Sequence, residues 1–271
     1  MSRPDIAIIT VSTNRLDTAC LTSVRLLLDR TPLQLKFVVV DNGSTAFDAH
    51  ALTKQIVPEA TVILRDNNYG FGRSCNRGAC EVDADYYFFL NPDTRVYDAE
   101  LLTKLHTFIR AYPKVGIVAP KILSIDGTLQ ETCRKFPSWF TPIAQRTSLL
   151  REKIRTAHRR HFLMETFSHD RHRLVDWVQG SAFMIDAKLF HELGGFDERY
   201  FMYYEDVDLC RTCWVRGRPV YYLPEAVLFH AYGKESAVGE NTIDRLLRNP
   251  KTRTHIISWM KYTLKWLGQR L

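Results

Sequence analysis

No apolar run in this 271-residue chain approaches the ~20 residues that a membrane-spanning helix needs. Met1 to Asp5 lacks signal-peptide architecture and leads straight into an apolar run. The six cysteines, Cys20, Cys75, Cys80, Cys133, Cys210 and Cys213, do not have the spacing of a disulfide framework. Cys210 and Cys213 have CxxC spacing, yet no second pair completes a zinc site, and one turn apart they suit a helix core. From these absences a reducing cytoplasm is the expected compartment. There is no internal repeat and no low-complexity linker. A G-x-G-x-x-G run is also missing, because Gly70, Gly72 and Gly78 are wrongly spaced for a dinucleotide fingerprint.

What is present is a hydrophobic fraction of 45%, enough for a sizeable core in one large α/β domain or two small ones. The net charge of +7 is unevenly spread. Residues 130–175 carry Arg134, Lys135, Arg146, Arg151, Lys153, Arg155, Arg159, Arg160, Arg171 and Arg173 against four acids. Residues 251–271 carry Lys251, Arg253, Lys261, Lys265 and Arg270 and no acid. Such surfaces favour an anionic partner: nucleic acid, phospholipid or a phosphate-bearing substrate.

The first half alternates apolar runs with helical patterns. Ile6–Val11, Phe37–Val40, Thr61–Leu64 and Tyr86–Leu90 read as buried strands. Helical stretches are expected near Leu16–Asp29 and at 46–56, 71–83 and 98–111. Strands alternating with helices imply a mostly parallel central sheet. In the second half, Ile122–Glu131 reads as a hairpin around Asp126-Gly127, and Val175–Ile185 as one strand. A helix is expected from about Tyr204 to Arg216. Two short strands follow at Val220–Leu223 and Ala226–Phe229, then a helical tail from Thr242, broken near Pro250. The expectation is one α/β domain with a C-terminal helical extension.

In an open parallel sheet, ligands bind outside the strands' carboxyl ends. Three polar clusters fall there: Thr10 to Arg15, Asp41 to Ser44 and Asn91 to Thr94. Asp41 is placed to accept a hydrogen bond from a base or ribose, or simply to form a turn. Asn67 to Gly72 is a glycine-bearing loop opening a helix, whose N–H groups can approach a phosphate or serve structure alone. Asn91-Pro92-Asp93 delivers a carboxylate to a strand tip. One such carboxylate plus diphosphate oxygens can hold a hard divalent cation, although an ordinary strand exit looks the same. Glu205-Asp206-Val207-Asp208 follows the aromatic run Tyr200 to Tyr204. First-turn acids complement a helix dipole. Aromatics beside a carboxylate also raise its proton affinity, which makes a useful base. His230 closes a predicted strand, as a structural residue or a ligand.

Taken in order, these motifs resemble the inverting family 2 glycosyltransferases with a GT-A fold. The likeness runs from about Ile6 to Ser236. It rests on Val40-Asp41-Asn42-Gly43-Ser44, Asn68-Tyr69-Gly70-Phe71-Gly72, Leu90-Asn91-Pro92-Asp93-Thr94, Gly194-Gly195-Phe196-Asp197-Glu198, Tyr204-Glu205-Asp206-Val207-Asp208-Leu209 and His230. Within the family it resembles the rhamnosyltransferase-like branch of bacterial O-antigen and cell-wall polysaccharide synthesis, where Asn91 takes the place of the first acid of the DxD-type motif. The resemblance implies a nucleotide-diphospho-sugar donor held by Thr10, Asn14, Asp41, Asn68, Gly70, Asn91 and Asp93. It implies a divalent cation, Mg²⁺ or Mn²⁺, on Asp93 and His230. It implies Asp206 as base with Glu205 beside it, and acceptor contacts from Trp177, Gln179, Gly180 and Tyr204. The favoured donor is dTDP-L-rhamnose, with a UDP-hexose or UDP-N-acetylhexosamine as alternative. The acceptor is a glycan or a polyprenyl-diphosphate-linked glycan. Two departures stand out: no aromatic precedes Asn14, and the Q-x-x-R-W motif of processive synthases is absent. The expected division is a catalytic domain over 1–235 and a helical extension over 236–271.

A nucleic-acid-binding module is the competing class. RNP and zinc-finger patterns are missing, and the acidic cluster would repel phosphate, so nucleic acid is not an expected partner. An inactive relative that scaffolds an assembly is a third reading. In the tail, Ile256, Met260, Leu264, Leu267 and Leu271 recur at helical spacing, flanked by Trp259, Tyr262 and Trp266. This stripe either rests on an anionic membrane, at the inner face of the cell membrane, or packs against the catalytic domain or a second subunit as a homodimer.

Overall fold

The computed structural model describes residues 3–146, 151–231 and 249–269. The four buried runs form β1 (Ile6–Ser12), β2 (Leu35–Asn42), β3 (Thr61–Arg65) and β4 (Tyr86–Leu90). They alternate with α1 (Thr18–Arg30), α2 (Ala49–Ile56) and α3 (Phe71–Ala79). Then come β5 (Thr94–Arg95), α4 (Leu101–Ala111) and β6 (Ile117–Leu123). The basic stretch supplies β7 (Cys133–Arg134), α5 (Thr141–Arg146), α6 (Glu152–Phe162), β8 (Arg173–Val175) and β9 (Trp177–Val178). The remainder is β10 (Ala182–Asp186), α7 (Ala187–Glu192), α8 (Glu205–Val215), β11 (Val220–His230) and α9 (Pro250–Lys265).

The central sheet runs β3-β2-β1-β4-β10-β6-β11-β5, with β8 on β11. The pairings make β1, β2, β3, β4, β6 and β11 point one way, and β5, β8 and β10 the other. The sheet is therefore mixed but mostly parallel. Its strands lack polar alternation because both faces are covered. Ile6 and Ile8 of β1, with Phe37 and Val39 of β2, enter one core. Ala7, Ile9, Val38 and Val40 enter the other. The strand order reverses between β1 and β4, so the loops after these strands frame the crevice where ligands sit in such sheets.

Two expectations are corrected, and one strand was not expected. Val175–Ile185 is not one strand. Trp177 and Val178 leave the main sheet to pair with Arg134 and Cys133, and Gln179-Gly180 turns toward α8 before β10 begins. The two short strands after α8 are one, β11, with a register shift between Leu223 and Val227 around Pro224-Glu225. β6 itself is hidden in sequence by Pro120. That proline is tolerated because β10 pairs with β6 only at Ile117 and Val118. The expected turn at Asp126-Gly127 is present, with Ser124 N–H donating to Thr128 O (2.7 Å) and a Leu123–Leu129 bridge.

The tail expectation falls partly outside the described residues, which resume at 249. α9 starts with Pro250 in its first turn and the Asn249 side chain accepting from Lys251 N (2.9 Å). It packs on the catalytic domain, but by the face that periodicity assigned to the flank. Ser258, Tyr262 and Trp266 are buried, whereas Ile257, Met260, Leu264 and Leu267 are exposed. Asp208 of α8 is the anchor. It accepts from Trp266 Nε1 (2.7 Å), Lys265 Nζ (2.7 Å) and Tyr200 OH (3.1 Å). Arg211 adds a bond to Tyr262 OH (3.1 Å) and lies 4.8 Å over the Trp266 ring. Removing one partner of a buried ion pair leaves the other charge desolvated. Asp208→Ala is therefore expected to destabilise the protein by about 3 kcal/mol or more. Chemical denaturation checks this, and an unchanged midpoint would mean that α9 is not held through Asp208.

Candidate active site

Two groups of polar side chains meet at the carboxyl edge of the sheet. The first is built on Asp93, just beyond β4. Its Oδ1 lies 3.0 Å from His230 Nε2, and its Oδ2 takes Arg15 Nη1 at 2.9 Å. The end of β11 is laced to β5, so His230 sits opposite Thr94, and Ala231 N–H donates to Asp93 O (2.9 Å). Gln130 grips His230 from behind. Its Nε2 donates to His230 O (2.9 Å), which turns Oε1 toward Nδ1 at 3.1 Å. That network assigns the proton of the neutral ring to Nδ1 and leaves the Nε2 lone pair facing a carboxylate oxygen. Two convergent lone pairs at this distance require a proton or a cation between them. Asp93 and His230 thus fit a divalent cation whose other positions are filled by non-protein oxygens. Among the described residues no group of three or more His, Cys, Asp or Glu side chains could hold a metal on its own.

The second group opens α8. Tyr203 and Tyr204 both adopt left-handed backbone, with φ of 68° and 71°. Two consecutive bulky residues there are strained, and such strain persists only where the surroundings enforce it. One enforcing contact is at Gly70, where φ is 90° and an added Cβ would lie 2.1 Å from Phe201 O. Phe71 N–H also donates to Phe201 O (3.1 Å). The glycine-bearing loop thereby fixes the approach to the acidic pair. Gly70→Ala is expected to misplace that approach and lower turnover, with little change in far-UV circular dichroism. Full activity of the variant would show that this contact is dispensable.

Asp206 Oδ2 accepts from Gly180 N–H (2.9 Å) and Oδ1 from Val207 N–H (2.8 Å). Glu205 is buried, and its Oε2 has no hydrogen-bond partner. Burial, and then the charge of Asp206, push Glu205 well above its ordinary carboxylate value. Burial leaves Asp206 raised as well, against the opposing pull of the two N–H donors and the Arg134 guanidinium. The donors favour the charge on Asp206 and the proton on Glu205, whose Oε2 has none. Between Glu205's ordinary 4.5 and its raised native value, the folded state binds more protons than the unfolded one. Stability consequently falls as pH rises through that window, by up to about 1.4 kcal/mol per pH unit. Glu205→Gln is expected to flatten this decline and raise Tm at neutral pH. Thermal unfolding across pH reads it, and a less stable variant at neutral pH would contradict the protonation assignment.

A cleft of about 450 Å³ runs past this pair. Its lining includes Asn91, Arg134, Trp177, Gln179, Gly180, Tyr204, Glu205, Asp206, Lys251 and His255. The structure thus brings Asn91 and the four residues expected at the acceptor, Trp177, Gln179, Gly180 and Tyr204, to the same cleft as the acids. Arg134 stacks 5.2 Å over Trp177, and α9 contributes Lys251 and His255. Arg134, Lys251 and His255 were not singled out from sequence, because only the β7–β9 pairing and the docking of α9 bring them here.

The remaining residues lie nearer the β1–β2–β3 edge. Thr10 and Asp41 are buried, and Thr10 Oγ1 and Asp41 Oδ1 have no hydrogen-bond partner. Ser181 Oγ beside the cleft is likewise orphaned. Buried polar atoms are mostly satisfied in folded proteins, so unpartnered ones at a sheet edge are open to a ligand or to water. Asn14 and Asn68 are engaged in loop structure. Asn14 Oδ1 accepts from Thr45 N (2.7 Å) and Ala46 N (2.9 Å). Asn68 Oδ1 accepts from Asn42 Nδ2 (2.7 Å) and Gly70 N (2.9 Å).

A family model described as glycosyl transferase family 2 matches residues 7–173. The chain is 28% identical over 257 residues to N-acetylglucosaminyl-diphospho-decaprenol L-rhamnosyltransferase of Mycobacterium tuberculosis, covering 84% of this chain and 78% of the relative. It is 28% identical over 214 residues to rhamnosyltransferase WbbL of Escherichia coli, covering 72% and 71%. Among solved structures, GalNAc-T7 with UDP, GalNAc and Mn²⁺ superposes with TM-score 0.65 at 16% identity, covering 91% of this chain. This chain spans about half of that one, 47%. Mannosyltransferase PcManGT from Pyrobaculum calidifontis, with GDP-Man and Mn²⁺, gives TM-score 0.57 at 14% identity, covering 100% and 77%.

Proposed function

The chain belongs to glycosyl transferase family 2, and we propose that it moves L-rhamnose from dTDP-L-rhamnose to a hydroxyl of a lipid-linked glycan, by one inverting displacement. The observation that carries the reaction is the asymmetry of the acidic pair. Asp206 lines the cleft with both oxygens held by backbone N–H groups, while Glu205 beside it is buried with Oε2 unpartnered, and burial raises its proton affinity. Asp206 takes the proton of the acceptor hydroxyl as that oxygen attacks the anomeric carbon on the face opposite the leaving diphosphate. The Glu205 carboxyl offers a hydrogen-bond donor to the acceptor without adding a second negative charge. Gly180 and Val207 N–H groups fix both oxygens of the base, so little reorganisation accompanies the attack.

On the donor side, the orphaned oxygens of Thr10 and Asp41 are acceptors for the N–H and O–H groups of base and ribose. Asp93 and His230 would hold the divalent cation, Mg²⁺ or Mn²⁺. Such an ion supplies positive charge against the negative charge growing on the leaving diphosphate. Arg15, paired with Asp93, keeps that carboxylate oriented. The sugar is supported by the rhamnosyltransferase names of the mycobacterial and Escherichia coli relatives, and the lipid-linked acceptor by the mycobacterial one. The residues up to about 235 are the catalytic unit in this reading, and α9 is the docked extension.

The test is a panel of nucleotide sugars with purified protein, read by release of the nucleoside diphosphate. Fastest release is expected from dTDP-L-rhamnose in the presence of a lipid-diphosphate-linked glycan. Preference for a UDP-hexose or UDP-N-acetylhexosamine would overturn the donor assignment and leave the chemistry of the cleft intact.

A further inference from the structure

α9 is amphipathic in an unusual sense. Its inward face is aromatic and polar, held by Ser258 to Met202 O (2.8 Å), Lys261 to Arg199 O (2.6 Å) and the Asp208 bonds to Lys265 and Trp266. Its outward face is aliphatic. Ile257, Met260, Leu264 and Leu267 are 51, 52, 70 and 72% exposed. Their spacing of three, four and three residues makes one continuous stripe. The stripe is therefore not left over from docking, because docking is complete without it.

We propose that this face of α9 is a docking surface for an anionic lipid bilayer, lying in the interface and holding the acid cleft over it. Three observations select this occupant. The first is charge: Arg253 is exposed one turn before Ile257 on the side of the stripe, and Pro250 to Leu271 contains no acid. A second copy of the helix would set like charges together, whereas anionic headgroups complement them. The second is position. Lys251, Thr252 and His255 of the first turns line the acid cleft, so the stripe is rigidly tied to the site of chemistry. The third is the cleft's other lining segment. Between Pro137 and Thr141, which line it, Trp139 stands 66% exposed, and tryptophan is the side chain best suited to headgroup depth. No helix among the described residues is long and apolar enough to cross a membrane. The contact is thus along the surface, of the kind made by interfacial amphipathic helices. This deepens the lipid-linked acceptor reading by naming the surface that meets the lipid.

The experiment is co-sedimentation of the full chain with vesicles of phosphatidylcholine carrying increasing phosphatidylglycerol, at low and high salt. It compares the wild type with Met260→Ser/Leu264→Ser/Leu267→Ser and, separately, Arg253→Gln. None of these side chains contributes to the core, so the variants should fold, and thermal unfolding checks that they do. Binding of the wild type is expected to rise with phosphatidylglycerol and fall with salt. The triple variant should lose on the order of tenfold or more in partitioning, and Arg253→Gln should lose less, and only at low salt. Transfer to a detergent-soluble acceptor should be unchanged in the triple variant, which separates this proposal from the catalytic one. Wild-type protein that ignores anionic vesicles at low salt, or a triple variant that binds like wild type, overturns it. Wild-type dimerisation in sedimentation velocity that the triple variant abolishes, without vesicle binding, would assign the face to a second copy instead.

Discussion

Asp206→Asn is expected to lower turnover by at least ~10²-fold, the usual range for loss of a general base. The amide cannot take the acceptor proton at neutral pH. It also has one oxygen where Asp206 uses two, so an NH₂ group would face either the Gly180 or the Val207 N–H. Donor binding should survive, because these contacts lie on the acceptor side of the cleft. The comparison that gives the result meaning is Glu205→Gln. It retains a donor group at a carboxyl whose proton affinity burial raises, so its effect on turnover should be much smaller. Titration with nucleoside diphosphate reports donor-site integrity, and single-turnover kinetics report chemistry. Near-normal single-turnover rates in a folded Asp206→Asn protein would remove Asp206 from the role and point to Glu205.

Asp93→Ala is expected to impair both donor binding and turnover, the latter on the order of 10²-fold or more, as when one preorganised electrostatic contact to a developing charge is lost. Excess EDTA should abolish activity in the wild type, with recovery on adding Mg²⁺ or Mn²⁺. The pairing of Asp93 Oδ1 with His230 Nε2 at 3.0 Å is the basis, so His230→Ala should behave alike in kind. Asp93→Ala also leaves the Arg15 guanidinium without its 2.9 Å partner. For that reason the decisive readout is metal dependence, measured by a shift in the metal concentration giving half-maximal activity. Full activity of the wild type in EDTA would shift diphosphate stabilisation to Arg15 and its neighbours.

The parallel half of the sheet was legible in sequence because its strands are buried on both faces and read as unbroken apolar runs. The tips of those strands were legible for the same reason: a run that stops at Asp41 or Asn91 stops at the sheet's edge. The hidden parts lay where a local signal pointed one way and tertiary structure another. Pro120 broke the pattern of β6 at a point where its pairing with β10 had already ended. Gln179-Gly180 sat inside an apparent strand but turned to place the Gly180 N–H on Asp206. α9 reversed the usual rule of amphipathic packing. Its buried face is Ser258, Tyr262 and Trp266 because Met202 O, Arg211 and Asp208 offer polar partners to their tips, and its aliphatic stripe was left outside. Arg134 read as one cation among many in a basic stretch, and nothing local announced that a two-residue strand would bring it beside the base.

The central claim is a single displacement with Asp206 as the base and no covalent glycosyl-enzyme. Proton NMR of the transfer reaction tests it most directly, by following the anomeric signal from donor to first-formed product. The account predicts that the product's anomeric configuration is opposite to the donor's from the earliest time point, and that Asp206→Asn forms neither product nor adduct. A first-formed product with the donor's own configuration would contradict it, because a single displacement from the face opposite the leaving group inverts the anomeric carbon.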